Sequence, residues 1–81
     1  MYYVYVIKSG DKRYIGYTNN LKRRIEEHNR GENRSTRGRK WELIYYEAYK
    51  SEDDARERER KLKQRGRSRQ ILYERIKRSL S

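Results

Sequence analysis

The chain has no cysteine and no proline, one histidine and one tryptophan, and only 32% of its 81 residues are hydrophobic. Without cysteine there is neither a disulfide framework nor a zinc knuckle, and a lone histidine is no metal site. The apolar runs are too short to cross a bilayer, and the opening residues do not read as a secretory leader. These absences predict a cytoplasmic protein with no membrane partner. Acidic residues are also in short supply: 12 Asp and Glu face 23 Lys and Arg, for a net charge of +11. A surplus of this size speeds encounter with polyanions, so nucleic acid is the expected partner class.

What is present argues for a folded chain. Charged residues make up 43% of the sequence, a proportion that drifts toward disorder, but nine tyrosines and a tryptophan supply contact area. The apolar residues also fall in periodic runs. The length suits one small domain, residues 1–81, burying about two-thirds of its unfolded surface.

Residues 2–8 (YYVYVIK) and 13–17 (RYIGY) read as two strands joined by a tight hairpin with Gly10 at its first central position. Thr18-Asn19-Asn20 caps a helix in which Leu21 and Ile25 face inward and which Gly31 ends. Residues 32–40 form a basic polar loop, and 41–49 (WELIYYEAY) a third strand. Ser51, with Asp54 three residues later, starts a second helix that runs to about Arg65. A third helix over about 68–80 carries Leu72, Ile76 and Leu80 on one stripe. The expected architecture is α+β: a small, largely antiparallel three-stranded sheet flanked by helices, in the order β-β-α-β-α-α.

The hairpin sets Ile7 opposite Tyr14, Tyr5 opposite Gly16 and Val4 opposite Tyr17. Tyr5, Ile7, Tyr14 and Gly16 then share one face, while Val4, Val6, Ile15 and Tyr17 share the other. Tyr5 and Tyr14 become diagonal neighbours. Gly16 is expected to leave a bare patch where another backbone or a ligand comes close. Arg24 and His28 lie one turn apart on the first helix, a pairing that by itself reads as a solvated face. In the second helix, SEDDARERERKLKQ, alternating charge also suggests solvent. Yet Ala55, Glu59 and Leu62 fall on the stripe that should meet the sheet, so Glu59 is expected to point inward, where a carboxylate needs a cation.

Taken together, these residues resemble the GIY-YIG nuclease domain, particularly its small single-domain bacterial members, which are similar to a structure-specific junction endonuclease subunit. Tyr3-Val4-Tyr5 stands at the first motif and Tyr14-Ile15-Gly16 at the second. Arg24 matches the family's arginine, His28 follows one turn later, and Glu59 sits four residues after an alanine, as the metal-binding glutamate does. Tyr3 replaces the glycine that names the family, and Lys40 precedes Trp41 where proline is frequent.

The resemblance implies hydrolysis of a DNA phosphodiester with one divalent metal, Mg²⁺ or Mn²⁺, held by Glu59. It implies that Arg24 binds the phosphate and that Tyr14 positions or deprotonates the attacking water, with His28 a second candidate for the base. Tyr5 would orient the water or bond the phosphate, and Gly16 would be structural. Arg30, Arg34, Ser35, Thr36, Arg37, Arg39 and Lys40 would track the backbone, extended by basic residues of the last helix. No second domain for reading a base sequence accompanies these motifs, so structure-selective cleavage, as in DNA repair, is expected. Two other readings compete: a basic module that binds nucleic acid without cutting, and a nuclease subunit that relies on a protein partner for targeting.

Overall fold

The computed structural model describes all 81 residues. Two strands, β1 (Tyr2–Ser9) and β2 (Lys12–Thr18), form the hairpin, and Gly10 turns it with φ of +62°. That left-handed angle is one glycine adopts at least cost. The expected register is the one formed: Ile7 pairs with Tyr14, Tyr5 with Gly16 and Val4 with Tyr17. Helix α1 (Leu21–Asn29) follows, with the Asn20 side chain accepting from the Arg23 amide at its start. It ends in a Schellman motif, in which the Gly31 and Glu32 amides return to the carbonyls of His28 and Glu27 and Gly31 sits at φ +77°.

A single 3₁₀ turn, Arg34–Thr36, interrupts the basic loop. Strand β3 (Glu42–Tyr49) pairs antiparallel with β1, so the sheet order is β2-β1-β3. A bulge at Ile44 lets two consecutive side chains, Ile44 and Tyr45, pack on one core while Leu43 joins the other. Helix α2 (Glu52–Gln64) starts at Ser51, whose hydroxyl accepts from the Asp54 amide. Helix α3 spans Gly66–Arg75 rather than 68–80. Only Arg65 separates it from α2, and the chain leaves helical geometry at Ile76, still burying Ile76 and half-burying Leu80.

Each face of the sheet carries its own core. Val4, Val6 and Ile15 meet Ala55 and Leu62 of α2 and Leu72 of α3, closed by Ile76. On the other face Tyr5, Ile7 and Trp41 pack with Leu21 and Ile25 of α1, Leu43 and Tyr14. The central strand is therefore buried from Val4 through Ile7. It is the rigid floor on which the second face builds a site.

Candidate active site

The second face gathers the polar residues singled out in the sequence. Tyr5 is 1% exposed, and its ring lies across the α-carbon of Gly16. A Cβ at Gly16 would overlap the phenol, coming within 2.9 Å of its Cε1. The expectation of a bare patch for a ligand is thus corrected: the space that glycine leaves is filled by Tyr5 itself, opposite in the register. Glycine is needed so that this phenol can lie flat against the sheet with its hydroxyl turned toward α1.

There the hydroxyl meets His28. Tyr5 Oη is 2.7 Å from His28 Nε2, and His28 Nδ1 is 2.7 Å from Thr36 Oγ1. The Thr36 hydroxyl in turn donates to the Asn33 carbonyl, 3.3 Å away. Thr36 therefore accepts from Nδ1–H, which leaves Nε2 as the acceptor for the Tyr5 hydroxyl. The histidine is fully buried, with both ring nitrogens engaged. The solvated-face reading of Arg24 and His28 is corrected for the histidine. A helix face turned to a sheet and a folded-back loop is not exposed, and nothing in the helix periodicity announces the loop.

Burial drives the titration of both groups. It pushes the Tyr5 phenol up to about 12, against a downward pull from Arg24 and smaller upward pushes from Tyr14 and Glu59. It pulls His28 down from 6.5 to about 4, with Arg24 and Lys63 lowering it further and Glu27 opposing. At neutral pH the phenol is protonated and the imidazole neutral, which is the state the hydrogen-bond chain requires.

Tyr14 lies on the opening of this cluster. Its ring is edge-on to His28, centroids 5.1 Å apart, and its hydroxyl makes only a long 3.5 Å contact with Asn33 Nδ2. The Lys63 ammonium sits 5.1 Å from the centre of the Tyr14 ring and 3.2 Å from Glu59. Glu59 is held inward by its stripe mates, Ala55 and Leu62, both wholly buried. Its own side chain remains 24% exposed. Arg24, 27% exposed, bonds Glu27 through Nη1 at 2.9 Å; its other guanidinium donors are not taken by Glu27, and Tyr5 lies close enough to feel its charge. Tyr5, Tyr14, Arg24, His28 and Glu59 are therefore brought together. Tyr17 belongs to the opposite face, stacked on Tyr2 and bonded to Glu52.

The loop residues divide. Arg30, Arg34, Ser35, Arg37, Arg39 and Lys40 are exposed. Arg30, Arg37, Arg39 and Lys40 line an open groove of about 570 Å³ with Asn29, Gly31 and Gly38. Thr36 is corrected as a backbone-tracking residue: it is 1% exposed, its hydroxyl serves His28, and its carbonyl accepts from Trp41 Nε1 at 2.7 Å. A 3₁₀ turn aims this one loop residue inward. Asn29 adds a clamp, bonding both the amide of Trp41, at 2.6 Å, and its carbonyl, at 3.2 Å. Asn29, Asn33 and Lys63 were not legible as site or loop-holding residues, since polar residues in a basic helix and loop look alike until the fold pairs them.

No three His, Cys, Asp or Glu side chains cluster anywhere in the chain. Glu59 is thus a single hard oxygen donor at an open mouth, beside a cation-rich surface. This donor set suits an ion such as Mg²⁺ or Mn²⁺ that keeps waters and draws its remaining ligands from phosphate.

A sheet covered by helices on both faces, with paired tyrosines on its hairpin, an arginine and histidine on α1 and a carboxylate on α2, defines a class of catalytic domain. A family model described as the GIY-YIG catalytic domain matches residues 1–74, and the chain belongs to this nuclease family. Its relatives are more particular. It is 40% identical to a UPF0213 protein of Pediococcus pentosaceus over 75 residues, covering 89% of this chain and 79% of the relative. It is 43% identical to a UPF0213 protein of the archaeon Natronomonas pharaonis over 65 residues, covering 76% of each chain. A UPF0213 protein of Clostridium perfringens is 39% identical over 74 residues, covering 88% of this chain and 80% of the relative. No solved structure matches the chain.

Proposed function

We propose that this protein is a divalent-metal-dependent endonuclease that hydrolyses phosphodiester bonds in DNA and selects its substrate by nucleic-acid structure. The observation that carries this reading is an unbroken line of contacts. It runs from Glu59 to Lys63 (3.2 Å), onto the Tyr14 ring (5.1 Å), to His28 (5.1 Å) and to the Tyr5 hydroxyl (2.7 Å). Arg24 stands beside the last link. Lys63 alone would satisfy Glu59 in a binding module, so what favours hydrolysis is the company this ion pair keeps: it stands beside the Tyr14 ring, which adjoins His28.

When bound, a Mg²⁺ or Mn²⁺ ion would polarise the phosphate and stabilise the leaving oxygen. Glu59 would hold it. The guanidinium donors of Arg24 not taken by Glu27 bind the non-bridging oxygens and the charge that grows on them in the transition state. Tyr14, with its hydroxyl at the opening, orients the attacking water. Tyr5 stays protonated and spends its proton on His28, so its lone pairs accept a hydrogen bond from the water or from Arg24. His28 touches neither water nor phosphate. It is a positioning residue that fixes the Tyr5 hydroxyl, held in its tautomer by Thr36. The exposed loop cations, Arg30, Arg34, Arg37, Arg39 and Lys40, with Ser35, would carry affinity for the backbone without reading bases. Cleavage of branched or flapped DNA in the cytoplasm, alone or with a targeting partner, would make this a DNA-repair activity.

The test is a panel of end-labelled duplex, flap, junction and single-stranded DNA, incubated with Mg²⁺ or Mn²⁺ and with EDTA as control. Wild-type protein is expected to cut with metal only. Glu59→Gln is expected to lose cleavage while binding DNA as well or better. Cleavage that survives in Glu59→Gln would overturn the assignment of the metal to this carboxylate.

A further inference from the structure

Two adjoining grooves lie on the outer edge of β2, which has no strand beyond it. The first, of about 300 Å³, is walled by Tyr14 and Lys63 of the candidate site together with Arg13, Arg69 and Tyr73. The second, of about 370 Å³, shares Arg13, Arg69 and Tyr73 and continues to Lys77. One channel therefore runs from the centre across the edge of the sheet to the end of α3. Its walls carry Arg13, Lys63, Arg69 and Lys77 against a single lining carboxylate, Glu74.

The side chains are organised for this. The Arg13 guanidinium lies 4.7 Å from the centre of the Tyr73 ring, which holds it along the groove instead of loose in solvent. Arg69 is fixed by donating Nη1 to the Leu62 and Lys63 carbonyls, at 2.9 and 2.7 Å, and so caps α2 and forms a rigid wall. Arg13 and Lys77 are exposed and have no acidic partner within ion-pair distance, unlike Arg23, Arg24 and Arg30.

The path also bends. Tyr14 points to the site face and its neighbour Arg13 to the opposite face, as alternation on a strand dictates. The channel turns around the sheet edge of a molecule whose smallest extent is 20 Å. Duplex DNA, with a persistence length of about 50 nm, follows so tight a turn only at a deformation cost, whereas a single strand follows it freely.

We propose that the channel formed by Arg13, Tyr73 and Lys77 is a second binding site, which takes the unpaired strand flanking the scissile phosphate. Cations engage its backbone, and the Tyr73 ring edge offers a base an aromatic neighbour. This rests on the nuclease reading and narrows it: the preferred substrate has a single-stranded arm next to the cut.

The experiment measures binding by anisotropy of three labelled DNAs: a single strand, a blunt duplex, and a duplex with a single-stranded overhang. Each is titrated over a range of salt. Proteins compared are wild type, Arg13→Ala/Lys77→Ala, and Lys77→Glu, a single change at an exposed turn position just past α3 that serves as a folded control. The double variant is expected to lose about tenfold in affinity for the single strand and the overhang. Its salt slope on the single strand should fall by about 1.4, the value for two lost phosphate contacts. The blunt duplex should change little. An equal loss on blunt duplex, or no loss on the single strand, would overturn the channel while leaving the nuclease reading intact. Failure of the wild type to bind any of the three would sink both.

Discussion

Replacing Gly16 with alanine would drive a methyl group into the Tyr5 ring, because the phenol already occupies the space above that α-carbon. The ring must then tilt, and its hydroxyl must leave His28. Overpacking of this kind costs about 1–3 kcal/mol, so Gly16→Ala should melt several degrees lower and cut at least about tenfold more slowly. A wild-type melting curve with wild-type rate would show that Tyr5 can move freely. His28 makes a separate prediction in acid. Its pKa is near 4 in the folded protein against an ordinary 6.5, so between those values the unfolded chain takes up a proton that the folded protein refuses. The stability that neutral His28 supplies is complete above about pH 6.5 and is lost as pH falls through 4, a change of about 3 kcal/mol. Melting temperature followed over this window should fall for wild type and fall less for His28→Gln.

At the scale of elements, the strand pattern and the caps were legible in the sequence. Alternation in YVYVIK and RYIGYT and the glycine at position 10 set the hairpin register. Ser51 and Gly31 marked helix ends through local hydrogen bonds that depend only on neighbours. Glu59 could be placed inward because Ala55 and Leu62 bracket it. What escaped was every contact joining distant segments through polar atoms. Thr36 to His28, Asn33 to Tyr14 and Asn29 to Trp41 leave no periodic trace, and a basic loop does not reveal which of its residues turns in. The extent of α3 was misread because the Leu72, Ile76, Leu80 stripe continues past Arg75, where the backbone stops being helical but burial does not. Asn29→Ala tests the clamp. It strips two hydrogen bonds from the Trp41 backbone and should cost about 1–3 kcal/mol. Hydrogen exchange should then speed up across residues 30–41 while β1 stays protected. Uniform acceleration would mean that the loop has no local anchor.

For the whole molecule, the net charge of +11 acts twice with opposite signs. It repels itself in the folded state, so added salt should raise the melting temperature by screening. The same salt should weaken DNA binding steeply, since binding releases counterions from the polymer. Thermal melts and binding titrations in one salt series should therefore move apart. Parallel movement would mean that surface ion pairs, such as Arg30 with Glu32 and Arg60 with Glu57, matter more to stability than net repulsion. No helix is long and apolar enough to cross a membrane, and basic residues line both the loop groove and the groove at the edge of β2.

Trp41 is the sole tryptophan, 6% exposed, packed with Tyr5 and Ile7 while its indole N–H donates to the Thr36 carbonyl. Its fluorescence therefore has one tryptophan source, seated where the cation-bearing loop meets the floor of the candidate site. Emission wavelength becomes a built-in gauge of whether that loop is docked. A titration with uncleavable DNA can thus be followed optically, without attaching a dye to either partner.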